Sequence, residues 1–419
     1  MKSYIDRFKS IVVILYFFAF LLFLLVPFWL IPSGFEASIS SLLGTILYLL
    51  LCDAVFRLLY RAFSGGPYYL KKKIPFDKIY MEPHPYIPYV YKKNFLCQKA
   101  GPSTYPLNQN KGYVLGELST NNLRHINGIN GARDVIIPKP KGLFRINCLG
   151  ASTTGNYIFE SEKAFSYPLE LEKILQNHFQ SKEIEVNNCG HGGYTTAEVL
   201  IKFLLNSIDS KPDMIVLYHA YNDLRPSLMP SFQSDYFHAK KNLAEVLHKF
   251  RWGSWFPNIP LALPNYIFNL YLPQNVRYGV LSAIEKGSVD LESEFHGLET
   301  YWRNIENLIH VCKGNGIKIV LSTYCHFLYP AIKDDKLHLK YRQGVLMENE
   351  AMRNLSIKHE LPLVDNYNLV PYEEKYFLDS VHFSPEGMHE IAKNISKPII
   401  EQIESREIIR SHPNMGQLL

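Results

Sequence analysis

The chain has 419 residues, of which 47% are hydrophobic and 20% are charged. This composition supports a packed α/β core and excludes an intrinsically disordered protein. The net charge of +5 is small, and the main body carries no long tract of lysine and arginine, so nothing predicts nucleic-acid binding. The six cysteines form no C-x-x-C pair and no zinc-binding spacing, so the cysteine pattern predicts no metal site.

The first predicted element is a transmembrane helix. Residues Ile11 to Ile31 form a stretch of 21 positions without a charge, which at ~1.5 Å per residue spans the roughly 30 Å of a bilayer core. Because basic residues stay on the cytoplasmic side, the amino terminus is predicted there from Lys2, Arg7 and Lys9. The stretch is too long for a signal peptide, and no small-x-small cleavage site follows it immediately. We therefore expect a retained anchor.

A second apolar stretch runs from about Ile39 to Phe56 and contains one acidic residue, Asp53. Arg57 stands four positions later, where it can pair with Asp53 on one helix face and lower the cost of inserting the carboxylate. If both stretches span the membrane, the rest of the protein is cytoplasmic; if only the first spans it, the rest lies outside. An amphipathic helix in the membrane interface is the alternative for the second stretch. Residues 1–65 are thus predicted to form the membrane anchor.

Residues 66–141 are rich in proline, tyrosine and asparagine. Five prolines between positions 83 and 106 disfavour regular structure. We expect a connector with short strands that packs on the domain that follows, and no separate catalytic unit.

Strand-like and helix-like patterns alternate from residue 142 to residue 404, and residues 405–419 are predicted to be a carboxyl-terminal tail. This alternation, with two strands that are almost continuously apolar, predicts an α/β fold with a doubly wound, flavodoxin-like parallel sheet of five strands. The strands are predicted at Phe144 to Leu149, Ile184 to Asn188, Met214 to His219, Ile317 to Tyr324 and Leu361 to Val364. The helices are predicted at Tyr167 to Gln180, Thr195 to Asn206, Leu298 to Asn315, Gly344 to His359 and Pro385 to Glu404.

Residues 226–293 interrupt this pattern after the third strand. The segment is rich in aromatic residues, and its portion from Lys240 to Arg251 has a basic helical pattern. An insertion at this place can overhang the carboxyl edge of the sheet, as a substrate lid or a membrane-contacting flap. A subdomain with its own small core is the alternative.

The segment Gly150–Thr154 follows the first predicted strand and contains Ser152. Active sites of open α/β sheets form at the carboxyl ends of the strands. We expect Ser152 where the strand turns into a helix, with an exposed hydroxyl and a backbone N–H at a helix start, where negative charge is favoured. The serine is therefore a candidate nucleophile with its own oxyanion donor, although ordinary turn and N-cap chemistry gives the same pattern.

A candidate base follows the last predicted strand. Asp379 lies three residues before His382 on a loop that leads into a helix. A carboxylate at this spacing can accept the Nδ1 proton of the histidine and leave Nε2 to take a proton from a serine.

Two further loops end at the same edge. The glycine-rich loop from Asn188 to Thr196 lets a backbone N–H approach a ligand closely. We prefer Gly193 as that donor, and Gly192 is the alternative. After the third strand, Asn222 could donate its amide to a developing oxyanion.

These four segments, in this order, resemble the SGNH (GDSL) hydrolase family, and the resemblance covers about Leu143 to Glu404. It implies Ser152 as nucleophile, His382 as base and Asp379 as its partner. It further implies an oxyanion hole formed by Ser152, Gly193 and Asn222. The chain departs from the family pattern at Ala151, where the family has Asp, and at Ala220, where it has Gly; neither position supplies a catalytic group. The lead-in at residues 127–145 is similar to that of membrane-anchored bacterial members.

The resemblance implies a membrane-anchored serine esterase that forms an acyl-enzyme and needs no cofactor or metal. We expect an ester-bearing glycan or lipid as substrate, such as an O-acetylated envelope glycan or its lipid-linked precursor. An O-acyltransferase with the same site and a non-catalytic binding subunit of envelope-polymer assembly are the alternatives. A metal site formed by His191, His219, Asp223 and His382 is a further alternative, which no ligand spacing supports.

Overall fold

The structure is a computed structural model that describes residues 35–64, 81–95, 114–115, 119–127, 133–155, 158–160, 163–246 and 286–411. The chain divides into two compact units, one of residues 1–79 and 244–283 and the other of residues 80–243 and 284–419. The first predicted membrane segment, Ile11 to Ile31, lies outside the described residues. So do residues 247–285 of the predicted insertion and the end of the predicted tail.

Strands and helices are numbered in chain order within the described residues. The strands are β1 (Met81–Glu82), β2 (Val90–Tyr91), β3 (Val114–Leu115), β4 (Phe144–Gly150), β5 (Ile158–Glu160), β6 (Lys163–Phe165), β7 (Ile184–Asn188), β8 (Met214–Tyr218), β9 (Lys318–Ser322) and β10 (Leu363–Val364). The α-helices are α1 (Phe35–Ser64), α2 (Tyr167–His178), α3 (Thr196–Leu205), α4 (Leu224–Ser227), α5 (Leu298–Gly314), α6 (Lys336–His359), α7 (Asn366–Leu369) and α8 (Pro385–Ser411). Short 3₁₀ helices lie at Ser207–Ser210, Pro330–Ile332 and Glu374–Tyr376.

Helix α1 carries the second predicted membrane segment. Its stretch Leu42–Ala62 is 21 residues long with a mean hydropathy of 2.0, so it is long and apolar enough to cross a membrane. The predicted ion pair is present, with Arg57 Nε 2.9 Å from Asp53 Oδ2. This pairing gives each charge a partner on the helix itself.

Five strands form one parallel sheet in the order β10-β9-β8-β4-β7. Read from the other edge and counted by position in the chain, the order is 2-1-3-4-5, which is the flavodoxin-like, doubly wound order. The predicted fold class is therefore confirmed. Ligand sites of this architecture form outside the carboxyl ends of the strands, where the winding direction reverses. In this chain the reversal lies between β4 and β8.

The interior of the sheet contains apolar strand residues and a buried ion pair. All five residues of β8 are buried, as expected for a central parallel strand covered on both faces. Between β4 and β7, Arg145 is completely buried and its Nε lies 2.7 Å from Glu185 Oε1. Arg145 and Glu185 are also direct partners in the strand register. This pair leaves the buried guanidinium with a counter-charge.

The segment after Ser152 differs from the prediction. Instead of a helix start, the structure has a turn over Ala151–Gly155, followed by the antiparallel hairpin of β5 and β6. The helix α2 begins later because Ser166 supplies the N-cap, accepting a hydrogen bond from the Leu169 N–H, with a proline in the first turn. The expectation that a helix N-terminus lies at Ser152 is therefore wrong.

Other boundaries were also misplaced, including the end of α8, which continues past the predicted end at Glu404 to Ser411 and so into the predicted tail. Helix α6 begins at Lys336, eight residues before the predicted start, because Asp335 caps it by accepting from the His338 N–H. Strand β9 ends at Ser322, since the Tyr324 N–H leaves the ladder and donates to Asn349 Oδ1 on α6. Residues beyond Ser322 therefore form a loop at the carboxyl edge.

Candidate active site

Ser152 lies in the turn that follows β4, at the carboxyl edge of the sheet. The turn closes through a hydrogen bond of 2.9 Å from the Gly155 N–H to the Ala151 carbonyl. A Cβ on Gly150 would collide with the backbone oxygen of Tyr218 on the neighbouring β8, so only glycine fits at the end of β4. Close contact of the two strands therefore fixes where the Ser152 turn begins.

The loop before α8 brings Asp379 and His382 to Ser152. The Ser152 Oγ lies 3.0 Å from His382 Nε2, and His382 Nδ1 lies 2.7 Å from Asp379 Oδ2. The other oxygen of Asp379 accepts hydrogen bonds of 2.8 Å from the Val381 and His382 N–H groups. The distance between Ser152 and His382 is short enough for proton transfer, and the distance between His382 and Asp379 is short enough for the carboxylate to orient the imidazole ring. The three side chains thus form one continuous hydrogen-bonded chain across 230 residues of sequence.

The acid and the base perturb each other's pKa in opposite directions. Burial acts to lower the pKa of His382, but the charge and hydrogen bond of Asp379 outweigh it and raise the pKa above the ordinary value. Burial acts to raise the pKa of Asp379, and the charge and hydrogen bonds of His382 bring it below the ordinary value. Each side chain is 21% exposed, so the pair is shielded but remains open to a ligand.

The glycine-rich loop after β7 has two candidate backbone donors, the N–H groups of Gly192 and Gly193, and one of them is already bonded. Its Gly192 N–H donates to Tyr91 Oη at 2.9 Å. Within the described residues the N–H of Gly193 has no acceptor, and the same holds for the N–H of Ser152. Gly193 has a φ of +76°, in the left-handed region that favours glycine. Of the two glycines, the structure therefore leaves Gly193 as the available donor.

The loop after β8 supplies the Asn222 amide. Its Nδ2 donates one proton to the Tyr194 carbonyl at 2.8 Å, which leaves the second amide proton for a ligand. The preceding residue, Tyr221, has a φ of +72°, which is strained for a residue with a large side chain. Glu348 on α6 accepts the Tyr221 N–H at 2.9 Å and holds this turn.

Asp223, the next residue, anchors the loop after β8 through buried hydrogen bonds. It is 1% exposed and accepts hydrogen bonds from Thr196 at the start of α3 and from the hydroxyl of Tyr236. His219 Nε2 lies 2.9 Å from Asp223 Oδ2, which also accepts the Thr196 N–H. Burial acts to raise the pKa of Asp223, and His219 and the hydroxyl donors together bring it below the usual value. Asp223 therefore joins the loop after β8 to α3 and to the described start of the insertion.

The structure does not bring the four residues of the alternative metal site together. His191 is buried in a stack of aromatic rings, His219 pairs with Asp223, and His382 faces Ser152. Among the described residues, the side chains placed to share a metal ion are a different group, Glu306, His310 and His359. Lys358 Nζ lies 2.7 Å from Glu306 in that group, so the carboxylate already has a counter-charge.

Several residues around the site gave no signal in the sequence analysis. Tyr89 and Tyr91 of the connector contact the loop after β7, and Lys240 of the insertion contacts Gly193. Glu348 lies in the helix predicted from Gly344 to His359, which was given no part in the site, and it contacts the loop after β8. The alternation of Tyr89 and Tyr91 was the single available hint, because residues two apart on a strand share a face.

The sequence matches no protein-family model, and a search of the curated proteins found no match. Solved structures do match. A lipase/acylhydrolase from Enterococcus faecalis is 17% identical, with 62% of this chain and 97% of that chain covered and a TM-score of 0.38. A GDSL-like lipase from Bacteroides thetaiotaomicron is 15% identical, covering 64% and 93%, with a TM-score of 0.37. An acetyl xylan esterase is 12% identical, covering 60% and 98%, with a TM-score of 0.35. Over three fifths of its length, the chain is thus similar to structures described as GDSL-like lipases and esterases.

Proposed function

We propose that the protein is a membrane-anchored serine esterase of the SGNH type. The observation that supports this most is the hydrogen-bonded chain from Ser152 through His382 to Asp379, at the carboxyl edge of a doubly wound sheet. Nucleophile, base and orienting carboxylate are the three roles that acyl transfer to a serine requires. Here each side chain has the contact that its role needs.

The proposed reaction proceeds through an acyl-enzyme. His382 Nε2 takes the proton of Ser152 Oγ while that oxygen bonds to the ester carbonyl carbon, and the carbonyl electron pair moves onto its oxygen. The imidazolium then donates the proton to the alcohol oxygen as the ester C–O bond breaks. Water next attacks the acyl carbon while His382 takes its proton. The acid leaves and the proton returns to Ser152.

Three donors would stabilise the oxyanion of both tetrahedral intermediates. The Ser152 and Gly193 N–H groups have no acceptor among the described residues, and Asn222 keeps one amide proton. Their loops follow β4, β7 and β8, which are neighbours in the sheet. Removal of one such donor typically costs about 10²- to 10³-fold in rate.

Membrane anchoring is part of the proposal. Eleven large apolar side chains of α1 are more than a third exposed, and at 100° per residue they cover most of the helix circumference. An interfacial helix would have a broad polar face instead. The ester substrate would then be close to a membrane, which suits an O-acetylated envelope glycan, its lipid-linked precursor or a lipid ester.

The test uses the full-length protein purified in detergent micelles, with p-nitrophenyl acetate and longer esters and with a serine-reactive fluorophosphonate. We expect ester hydrolysis and labelling at Ser152. Both are lost by about 10³-fold or more in Ser152→Ala and His382→Ala. His389→Ala, on an exposed histidine of α8, is the matched control and retains activity.

A folded wild type that neither hydrolyses these esters nor reacts with the fluorophosphonate would contradict the proposal and favour a binding subunit. Products formed with added sugar or alcohol acceptors separate transfer from hydrolysis. An acyl group recovered mainly on the acceptor would identify an acyltransferase that uses the same site.

A further inference from the structure

The connector contacts the proposed oxyanion loop through two tyrosine hydroxyls. Tyr89 Oη donates to the Gly192 carbonyl at 2.6 Å, and Tyr91 Oη accepts from the Gly192 N–H at 2.9 Å. Tyr89 directly precedes β2 and Tyr91 lies within it, and because the two residues are two positions apart in extended chain they point to one side. Both polar backbone groups of Gly192 are thus bound by one short segment, and His191 Nδ1 makes a longer contact of 3.5 Å with the same carbonyl.

The contact is buried and extended by stacked rings. Tyr89 is 1% exposed and Tyr91 is 4% exposed. The His191 ring stacks on Tyr91 with 3.5 Å between centroids and on Tyr194 with 4.0 Å. Burial also keeps His191 uncharged, since its pKa lies well below the ordinary value. The stack therefore joins the connector to both sides of the Gly192–Gly193 pair.

Other segments hold the neighbouring carbonyls. Lys240 Nζ donates to the Gly193 carbonyl at 2.6 Å, and Asn222 Nδ2 donates to the Tyr194 carbonyl at 2.8 Å. The Tyr194 N–H donates to the His191 carbonyl. In the stretch from Gly192 to Tyr194, the N–H of Gly193 is then the one backbone group without a partner among the described residues.

The contact with Tyr89 sets the direction of this N–H. The peptide group is planar and trans, so the Gly193 N–H points opposite to the Gly192 carbonyl. A peptide between two glycines is also free to rotate as a unit, because neither residue has a Cβ that restricts its dihedral angles. A hydroxyl that holds the Gly192 carbonyl therefore also holds the Gly193 N–H in its opposite direction.

We propose that Tyr89 and Tyr91 are positioning residues of the connector, which fix the Gly192–Gly193 peptide so that the Gly193 N–H faces the oxyanion. This inference rests on the proposed esterase function. It gives the connector an indirect part in catalysis, through the peptide that carries the donor. Tyr89 acts on the peptide that carries the donor, and Tyr91 acts on the preceding peptide, so the effect of removing the Tyr89 hydroxyl is the larger one.

The test compares Tyr89→Phe, Tyr91→Phe and the control Tyr86→Phe in the full-length protein. Tyr86 lies in the same connector segment and is 72% exposed. We expect Tyr89→Phe to lower kcat by about 10- to 100-fold with KM within about twofold, since a misplaced donor affects the transition state. Tyr91→Phe has a smaller effect in the same direction, and Tyr86→Phe has none.

Two readouts separate positioning from a general loss of structure. The pH midpoint of kcat/KM stays unchanged in Tyr89→Phe, because His382 and Asp379 keep their contacts. Hydrogen exchange, measured by mass spectrometry on peptides covering residues 189–194, becomes faster in Tyr91→Phe, because the Gly192 N–H loses its acceptor. Exchange elsewhere in the sheet is unchanged.

Failure of this inference and failure of the proposed function give different results. An active wild type with unchanged kcat in Tyr89→Phe would overturn the positioning role and leave the esterase proposal intact. A wild type without Ser152-dependent turnover would overturn both. Equal losses in kcat, folded fraction and exchange protection over the whole domain would identify the tyrosines as structural residues only.

Discussion

His382 is the residue whose protonation state controls the proposed reaction. It acts as a base only when its imidazole is neutral, and Asp379 raises its pKa above the ordinary value. The active form is therefore lost as the pH falls through this raised pKa. The same contact orients the ring, because Asp379 accepts from Nδ1 and leaves Nε2 for Ser152.

We predict that kcat/KM rises with pH through a midpoint above about 6.5, the ordinary pKa of histidine. Asp379→Asn moves this midpoint to lower pH, because the carboxylate charge that stabilises the imidazolium is gone. It also lowers kcat by about 10³- to 10⁴-fold, since the amide does not hold the required tautomer. Stopped-flow or steady-state rates with a p-nitrophenyl ester between pH 5 and 9 measure both effects. A midpoint that stays in place in Asp379→Asn would contradict the role given to the carboxylate.

The sequence offered Ser152, Asp379, His382 and Asn222 as candidates because each lies next to the end of a predicted strand or the start of a helix, and the resemblance to the SGNH family implied their roles. It left Gly192 and Gly193 as alternatives, since both glycines fit the same loop. The contact of Tyr91 with the Gly192 N–H distinguishes them, and Tyr91 is separated from Gly192 by 101 positions. A local sequence pattern does not indicate a contact between two residues that are so far apart in the chain.

At the level of elements, α6 supports the turn after β8 through a buried carboxyl group. Glu348 is 3% exposed and accepts the Tyr221 N–H. Burial, and then the charge of Asp223, raise its pKa well above the usual value. The folded protein therefore keeps a proton on Glu348 that the unfolded chain releases above about pH 4.3. The contribution of Glu348 to the free energy of unfolding therefore falls as the pH rises above that value.

We predict that Glu348→Gln is more stable than the wild type at pH 8. Glutamine keeps an oxygen that can accept the Tyr221 N–H and needs no proton to be neutral. The expected increase in unfolding temperature is about 2–4 °C, or roughly 1 kcal/mol for a domain of this size. The difference shrinks as the pH falls towards 5, which thermal unfolding by circular dichroism would follow. A lower unfolding temperature for Glu348→Gln at pH 8 would show that the ionised carboxylate is needed.

The predicted strands agree with the observed sheet because their apolar runs are long and bounded by turns. The misplaced boundaries have local causes: a cap at Asp335 starts α6 early, and a hairpin separates Ser152 from α2. The Ser152 N–H thus remains a candidate donor without the support of a helix terminus. Its place at the strand end is set instead by the contact between Gly150 and Tyr218.

At the level of the whole molecule, the number of membrane spans determines which side carries the proposed active site. The sequence predicts one span at Ile11 to Ile31, and Leu42–Ala62 of α1 has the length and composition of another. Two spans return the chain to the side of its amino terminus. Because Lys2, Arg7 and Lys9 favour a cytoplasmic amino terminus, two spans would place the proposed catalytic domain in the cytoplasm and a single span would place it outside.

We predict that a green fluorescent protein fused to the carboxyl terminus fluoresces, whereas an alkaline phosphatase fused there is inactive. The first reporter matures on the cytoplasmic side and the second requires export. A matched fusion after residue 34, between the two segments, should give the reverse pattern. Active phosphatase at the carboxyl terminus would mean a single span and an exported domain, and would restrict the substrate to finished envelope glycans or outer-leaflet lipids.

By itself, the sequence determined the doubly wound sheet, because hydrophobic periodicity is a local property of the chain, and its resemblance to the SGNH family implied the residues of the proposed triad. It also determined that α1 is long and apolar enough to span a membrane. Only the tertiary structure decided that Ser152, His382 and Asp379 are in contact, that Gly193 has an N–H without an acceptor among the described residues, and that Tyr89 and Tyr91 contact the neighbouring Gly192. These are contacts between segments far apart in the chain, and folding alone brings their atoms within hydrogen-bonding distance.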